Sequence, residues 1–378
     1  MSDAERAFLM EVKELCQAAI KHCDCLADAL QFCEGLFPTI ALSRLMEVDR
    51  KVLECWIRNG NQKLSTEKTN EFQQDSFALS TWQFSENCRT RLRDLLWRNE
   101  QRVCLLGVPS LVEYLPSNAT GLKNLLIDVS KSIHVNQETT IHLPYDINLL
   151  EGSEFAETFD VCVFDPPWYL ENYFKWIEVA LSYCKIGGTI AFPLLGRMTR
   201  MDASQDREWI LANCEARGLE FELYRGIVLY DPPSFERSIL LRNGIPPVQW
   251  KRADLVVATR VDSKCASIVD GVPPIAGPKP IKPMRQFVIG QYLIDIVLDR
   301  SAGYGSGLFR TPLGGYWMKT PSRKEIGLSD CNVYVSNGAR LICERPLDLG
   351  SQLEEMGGSP EQTIMQLGTL GFPIEIFS

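Results

Sequence analysis

The chain has 378 residues, 45% of them hydrophobic and 23% charged, with a net charge of −9. Two or three domains are expected at ~100–200 residues each, and the acidic balance argues against a non-specific binder of long nucleic acid unless a local basic patch does that work. No apolar run approaches the ~18–20 residues that span a bilayer. The acidic start MSDAERAFLMEVKEL also lacks the basic-then-apolar pattern of a secretory signal, so a soluble, cytoplasmic protein is expected.

Residues 1–75 read as helical. Residues 4–34 form one predicted helix with Phe8, Val12, Cys16, Cys23, Leu26, Leu30 and Cys33 on its apolar face. His22-Cys23-Asp24-Cys25 lies inside it and invites a zinc reading. At ~1.5 Å of rise per residue, Cys16 and Cys23 sit ~10 Å apart along the axis, too far to share an ion, so no metal site is expected. The 13 scattered cysteines are read as reduced thiols. FPTIALSRLMEVDRKVLECWIRNG then offers two short amphipathic helices, which suit either a winged or helix-turn-helix DNA-binding unit or a packing domain that forms a homodimer.

Residues 76–245 change to apolar strands alternating with helices, the signature of an α/β domain. Predicted strands are RVCLLG (102–107), NLLIDV (124–129), FDVCVFD (159–165) and TIAFPL (189–194), with a helix over 169–185 and another over REWILANCEARG. LEFELYRGIVLY and RSILLRNG, joined by DPPSFE, are expected to close the sheet as an antiparallel hairpin. Residues 246–378 are expected to be a linker and a C-terminal substrate-recognition extension. In it ADLVVATRV reads as one more strand, and GVPPIAGPKPIKPMRQ (271–286) as extended linker. NVYVSNG and ARLICER are strand-like, and a helix is expected near 360–370.

The chemistry concentrates at strand ends, where open α/β sheets bind ligands. Gly107 closes the first strand and admits close approach of a ligand to the backbone, with Pro109 and Ser110 following in the same loop. Asp128 closes the second, where a carboxylate can accept from both hydroxyls of a ribose. Asp146 in LPYDINLL is a candidate adenine-side contact. Asp165 closes the third and runs into Pro166-Pro167-Trp168. The prolines stiffen the exit of the strand. They fix two acceptors, the Asp165 carboxylate and the Pro166 carbonyl, which can take both hydrogens of an amine and aim its lone pair at an electrophile. Trp168 offers a face on which a base can stack.

DPPW after an apolar strand resembles the catalytic motif of S-adenosylmethionine-dependent amino-methyltransferases, Asp/Asn/Ser-Pro-Pro followed by an aromatic. The resemblance covers roughly residues 100–245. It implies a class I methyltransferase fold, that is, a Rossmann-like, mostly parallel sheet with a terminal antiparallel hairpin. It also implies S-adenosylmethionine as cofactor, an amine-gripping role for Asp165 and Pro166, stacking by Trp168, and cofactor contacts by Gly107 and Asp128. The cofactor segment precedes the DPPW segment, the unpermuted order, so the acceptor is left open among nucleic acid, nucleotide and polyamine. The layout is similar as well to branched-chain polyamine synthases, which transfer an aminopropyl group from decarboxylated S-adenosylmethionine. Their cofactor loop reads Gly-Asp-Asp-Asp where this chain has Gly107-Val108-Pro109-Ser110.

Further contacts are expected from Tyr169, and from Phe235 and Arg237 at the rim. Lys251, Arg252, Lys279, Lys282 and Arg285 are candidate phosphate contacts, as are Lys319, Arg323 and Lys324 among the aromatics of GGYWMKTPSRKE. A DNA- or partner-binding role without catalysis is the reading from another class.

Overall fold

The computed structural model describes residues 82–377 apart from segments 117–122, 131–132, 151–154, 198, 200–201, 243–250, 262–283, 291, 299–308, 313–314, 318–330 and 357. The helical reading of residues 1–75, its cysteine cluster and its dimerisation role therefore lie outside the described residues. So do Lys279, Lys282, Lys319, Arg323 and Lys324.

Eight strands form the larger sheet: β1 (Gln83–Phe84), β2 (Val103–Leu106), β3 (Asn124–Ile127), β4 (Thr140–Leu143), β5 (Phe159–Phe164), β6 (Cys184–Leu195), β7 (Leu219–Asp231) and β8 (Arg252–Arg260). Their spatial order is β1-β7-β8-β6-β5-β2-β3-β4. The run β4-β3-β2-β5-β6 is parallel throughout, and β8 lies antiparallel between β6 and β7. The fold is thus α/β and Rossmann-like, with the antiparallel edge expected of a class I methyltransferase. The central strands are apolar at every position because both faces are covered. Cys104, Leu106, Cys162 and Phe164 pack on one face, under α2 (Leu170–Tyr183) and α3 (Ala203–Ala216). Val103, Leu105, Val161 and Val163 pack on the other, with Cys88, Leu92 and Leu96 of α1 (Glu86–Leu96).

The expected hairpin partner is wrong. RSILL is not a strand but the body of α4 (Ser234–Arg242), in which the Arg237 amide donates to the Pro233 carbonyl at 2.9 Å. Pro232 and Pro233 lead into a helical first turn, for which proline's fixed φ is already suited. β7 instead pairs antiparallel with β8, drawn from the segment read as one more strand, and on its other side with β1.

A second, antiparallel sheet of order β11-β13-β12-β10-β9 follows. It comprises β9 (Met284–Ile289), β10 (Tyr292–Val297), β11 (Phe309–Arg310), β12 (Val333–Val335) and β13 (Arg340–Cys343). It shares a core with α5 (Pro346–Glu355) and α6 (Pro360–Thr369), where Ile294, Val333 and Leu341 meet Leu349, Leu367 and Phe372. Ser359 and Gln362 close α6 with a reciprocal cap, so its start is legible in Ser-Pro-Glu-Gln. Arg285 stands in β9, not in a linker, and its guanidinium lies 3.2 Å from the Glu354 carboxylate.

Candidate active site

Strand register brings the predicted residues to one edge. Leu106 of β2 pairs with Ile127 of β3 and with Phe164 of β5, so Gly107, Asp128 and Asp165 each occupy the next position on three adjacent parallel strands. The Gly107 amide donates to the Ile127 carbonyl at 2.8 Å, and the Asp165 amide donates to the Leu106 carbonyl at 3.3 Å. From β2 the chain winds outward through β3 and β4, then returns to the opposite side of β2 as β5. The crevice at that reversal is where such sheets place ligands.

Asp128 is partly buried, and its Oδ1 accepts from the Ser130 amide at 2.8 Å. Burial pushes its pKa up, against the Ser130 hydrogen bond and the charge of His142. A carboxylate held short of solvent gains from hydroxyl donors, which fits the ribose of S-adenosylmethionine. Asp146 follows β4, and its Oδ1 accepts from the Asn148 amide at 2.9 Å, capping the short turn Ile147–Leu149. Asn148 Oδ1 in turn accepts from Trp176 Nε1 at 2.9 Å and from Asn172 Nδ2 at 3.1 Å, tying this loop to α2. Pro109 opens a 3₁₀ turn over Pro109–Tyr114, and Ser110 is partly buried in it.

Gly107 has a physical role other than the expected one. Its φ is +65°, and a Cβ there would stand 2.6 Å from Trp176 Cη2. The glycine makes room for the Trp176 ring on that side, so its fit to a cofactor rests on its place in the line of strand ends and not on open space.

At the exit of β5, Pro166 is buried and Pro167 exposed. The Pro167 carbonyl accepts from the Tyr169 amide at 2.7 Å, and α2 begins immediately after exposed Tyr169. Asp165 Oδ1 accepts from the Tyr230 hydroxyl at 2.8 Å. Burial lifts the Asp165 pKa to about 6, while the Lys251 charge, the Tyr230 hydroxyl and the Trp168 indole N–H each hold it down. Trp168 meets the Tyr230 ring edge-on at 5.9 Å. Sequence reasoning missed Tyr230, a fully buried residue one position before the second Asp-Pro-Pro. The available signal was the adjacency of that motif to the end of a strand.

Lys251, expected to meet phosphates, is placed elsewhere. Its backbone carbonyl accepts from the Tyr230 amide at 3.1 Å, and its Nζ lies over three rings: Trp168 at 4.2 Å, Tyr230 at 4.6 Å and Trp82 at 4.7 Å. Arg237 is partly buried in α4, and Phe235 is the second residue of that helix. Among the described residues no cluster of three metal-ligating side chains occurs and no helix is long and apolar enough to cross a membrane.

Residues 75–185 match a family model described as "Probable N6-adenine methyltransferase". No curated protein matches. Among solved structures, the chain is similar to the branched-chain polyamine synthase of Thermus thermophilus at 12% identity and a TM-score of 0.42, covering 52% of this chain and 63% of that one. This chain therefore spans about three fifths of the synthase's length. It is similar to a TehB-like S-adenosylmethionine-dependent methyltransferase from Corynebacterium glutamicum at 14% identity, 47% of this chain, 89% of that one and a TM-score of 0.29. It is similar as well to an S-adenosylmethionine-dependent O-methyltransferase from Thermotoga maritima at 14% identity, 55% of this chain, 71% of that one and a TM-score of 0.33. The matched segment, residues 75–185 of the 378, lies within the larger sheet and holds β2, β3, β4 and β5 with the DPPW exit.

Proposed function

We propose that the protein transfers a methyl group from S-adenosylmethionine to an amino nitrogen held at Asp165 and Pro166. The exocyclic amine of adenine, in nucleic acid or nucleotide, is the acceptor that the matched family's description favours. The observation that carries this reading is the single line of strand ends, with Gly107, Asp128 and Asp165 on neighbouring parallel strands.

When bound, S-adenosylmethionine supplies an electrophilic methyl group on a sulfonium. Asp128 would accept from the ribose hydroxyls, and Asp146 would hold the adenine side. The Asp165 carboxylate and the Pro166 carbonyl accept the two hydrogens of the acceptor amine and direct its lone pair at the methyl carbon. Trp168 supports a planar acceptor by stacking, worth ~1–3 kcal/mol. Tyr169, exposed just past Trp168, and Phe235 and Arg237 of α4 are the residues assigned to the rim. No strong base is required, because the amine can release its proton after attack. Asp165, with a pKa near 6, is ionised at neutral pH and accepts hydrogen bonds.

Two measurements test this. Calorimetric titration with S-adenosylmethionine is expected to show Asp128→Ala weakened about tenfold or more, the cost of one to two hydrogen bonds. Methyl transfer to a panel of adenine-containing nucleic acids and nucleotides, polyamines and proteins is expected to fall by ~10²-fold or more in Asp165→Ala, with cofactor affinity kept. Wild-type affinity in the first variant and wild-type turnover in the second would remove both roles.

A further inference from the structure

Three aromatic rings surround a single ammonium group beside the carboxylate assigned to grip the acceptor. Trp168 belongs to the DPPW tetrapeptide, Tyr230 donates to Asp165 at 2.8 Å, and Trp82 meets the Tyr230 ring edge-on at 6.3 Å. Lys251 Nζ lies 4.2–4.7 Å from all three ring centroids, inside the ~6 Å over which a ring face attracts a cation. Its placement follows from the backbone. The Tyr230 amide donates to the Lys251 carbonyl, so the two residues are cross-strand neighbours, with the Lys251 ammonium over the Tyr230 ring. A lysine that only balanced the charge of Asp165 would need no rings. Three rings closing on one ammonium make a seat for an organic cation.

That seat covers the face of Trp168 on which an acceptor would stack, so Lys251 and the acceptor compete for one space. We propose that the three-ring seat beside Asp165 is a binding site for an organic ammonium group, which the chain's own Lys251 fills until an acceptor displaces it. The inference rests on the proposed function only for the word acceptor; the cation site stands or falls by itself. The stem of Lys251 is unbranched and its head strongly hydrated, so withdrawal to solvent needs only side-chain rotation.

The test vacates the seat and offers it a small cation. In Lys251→Ala, methylammonium chloride is expected to change tryptophan fluorescence with saturation on the order of millimolar, the affinity available to so small a ligand. Potassium chloride at equal ionic strength should give no saturable change, and wild type should saturate only at several-fold higher methylammonium, because Lys251 competes for the seat. Absence of saturation in a Lys251→Ala variant with a native circular dichroism spectrum, or equal saturation in wild type, overturns the proposal. A second measurement uses the unaltered protein. Acylation of Lys251 by an N-hydroxysuccinimide ester, read by peptide mass spectrometry against exposed Lys123, is expected to accelerate several-fold when tetramethylammonium is added. That ion fits an aromatic cage and carries no nucleophile of its own. An unchanged Lys251 to Lys123 ratio overturns the proposal. Neither arm contains S-adenosylmethionine, so a failure here is distinguishable from loss of cofactor binding or methyl transfer.

Discussion

Asp165 is held between opposing influences, and their order sets how the site answers to pH. Burial is the largest and raises the carboxyl to about 6; Lys251, Tyr230 and Trp168 lower it, in that order. The folded pKa lies above the unfolded value near 3.8, so ionisation opposes folding. The stabilising contribution is complete below pH ~4 and is lost as pH rises through about 6. Activity runs the other way, because only the ionised carboxylate accepts both the Tyr230 hydroxyl and an amine hydrogen. Turnover is therefore expected to rise with a midpoint near pH 6. Tyr230→Phe removes a donor that holds the pKa down, so its midpoint should move upward while the plateau falls. A pH–rate profile checks both, and a midpoint that stays or falls in the variant would show that Tyr230 does not act on Asp165. Asp165 and Trp168 were legible because they stand together in the chain. Tyr230 and Lys251 were not, since their positions depend on a long-range pairing past residues 231–250 that no local pattern announces.

Between elements, the tightest constraint near the site is the packing of α2 on the end of β2. Trp176 fills the space that a side chain at residue 107 would need, while its Nε1 donates to Asn148. One indole thus locks the β2 end, the loop after β4 and α2 together, and so fixes the spacing of Gly107, Asp146 and Asp165. Gly107→Ala forces a Cβ to 2.6 Å from the ring at a φ of +65°. The left-handed conformation costs ~1–2 kcal/mol and the overpacking ~1–3 kcal/mol, so a loss of about 3 kcal/mol is expected in denaturant unfolding. In a Trp176→Phe background the added methyl meets a smaller ring, and the penalty should shrink toward the backbone cost alone. An undiminished penalty in the double variant would mean that the ring is not what the glycine accommodates. The parallel strands were readable because strands buried on both faces show as apolar runs closed by Gly or Asp. The mistaken strand at 237–241 is the converse case: Ile239, Leu240 and Leu241 look like a strand in isolation, but two prolines before them set up a helix, and the longer alternating segment 252–260 takes the place beside β7.

At the scale of the whole molecule, α4 joins the two sheets. Only Pro232 and Pro233 separate its first residue, Ser234, from Asp231 at the end of β7, so it starts at the active-site edge. Ile239 is buried against Cys331, Tyr334 and Ile342 of the second unit. Arg242 lies 3.3 Å from the centroid of the Trp317 ring and donates to the Asn337 carbonyl at 3.4 Å. Burial lowers the Arg242 pKa, in keeping with a guanidinium drawn against a ring. The C-terminal unit is thereby attached through a helix that begins four residues past Tyr230, the donor to Asp165. Composition does not announce that a nine-residue helix anchors that unit, because the Arg242–Asn337 bond spans 95 residues of chain. Ile239→Ala is expected to cost ~2–4 kcal/mol, the usual range for emptying such a position. The loss should fall on one side of the joint. Hydrogen exchange should accelerate in β12 and β13, whose Val333–Leu341 pairing borders the contact, and stay unchanged in β2 and β5. Exchange that rises equally in both sheets would make Ile239 an ordinary core residue of one cooperative unit. No change in either would show that α4 does not bear on the second sheet at all.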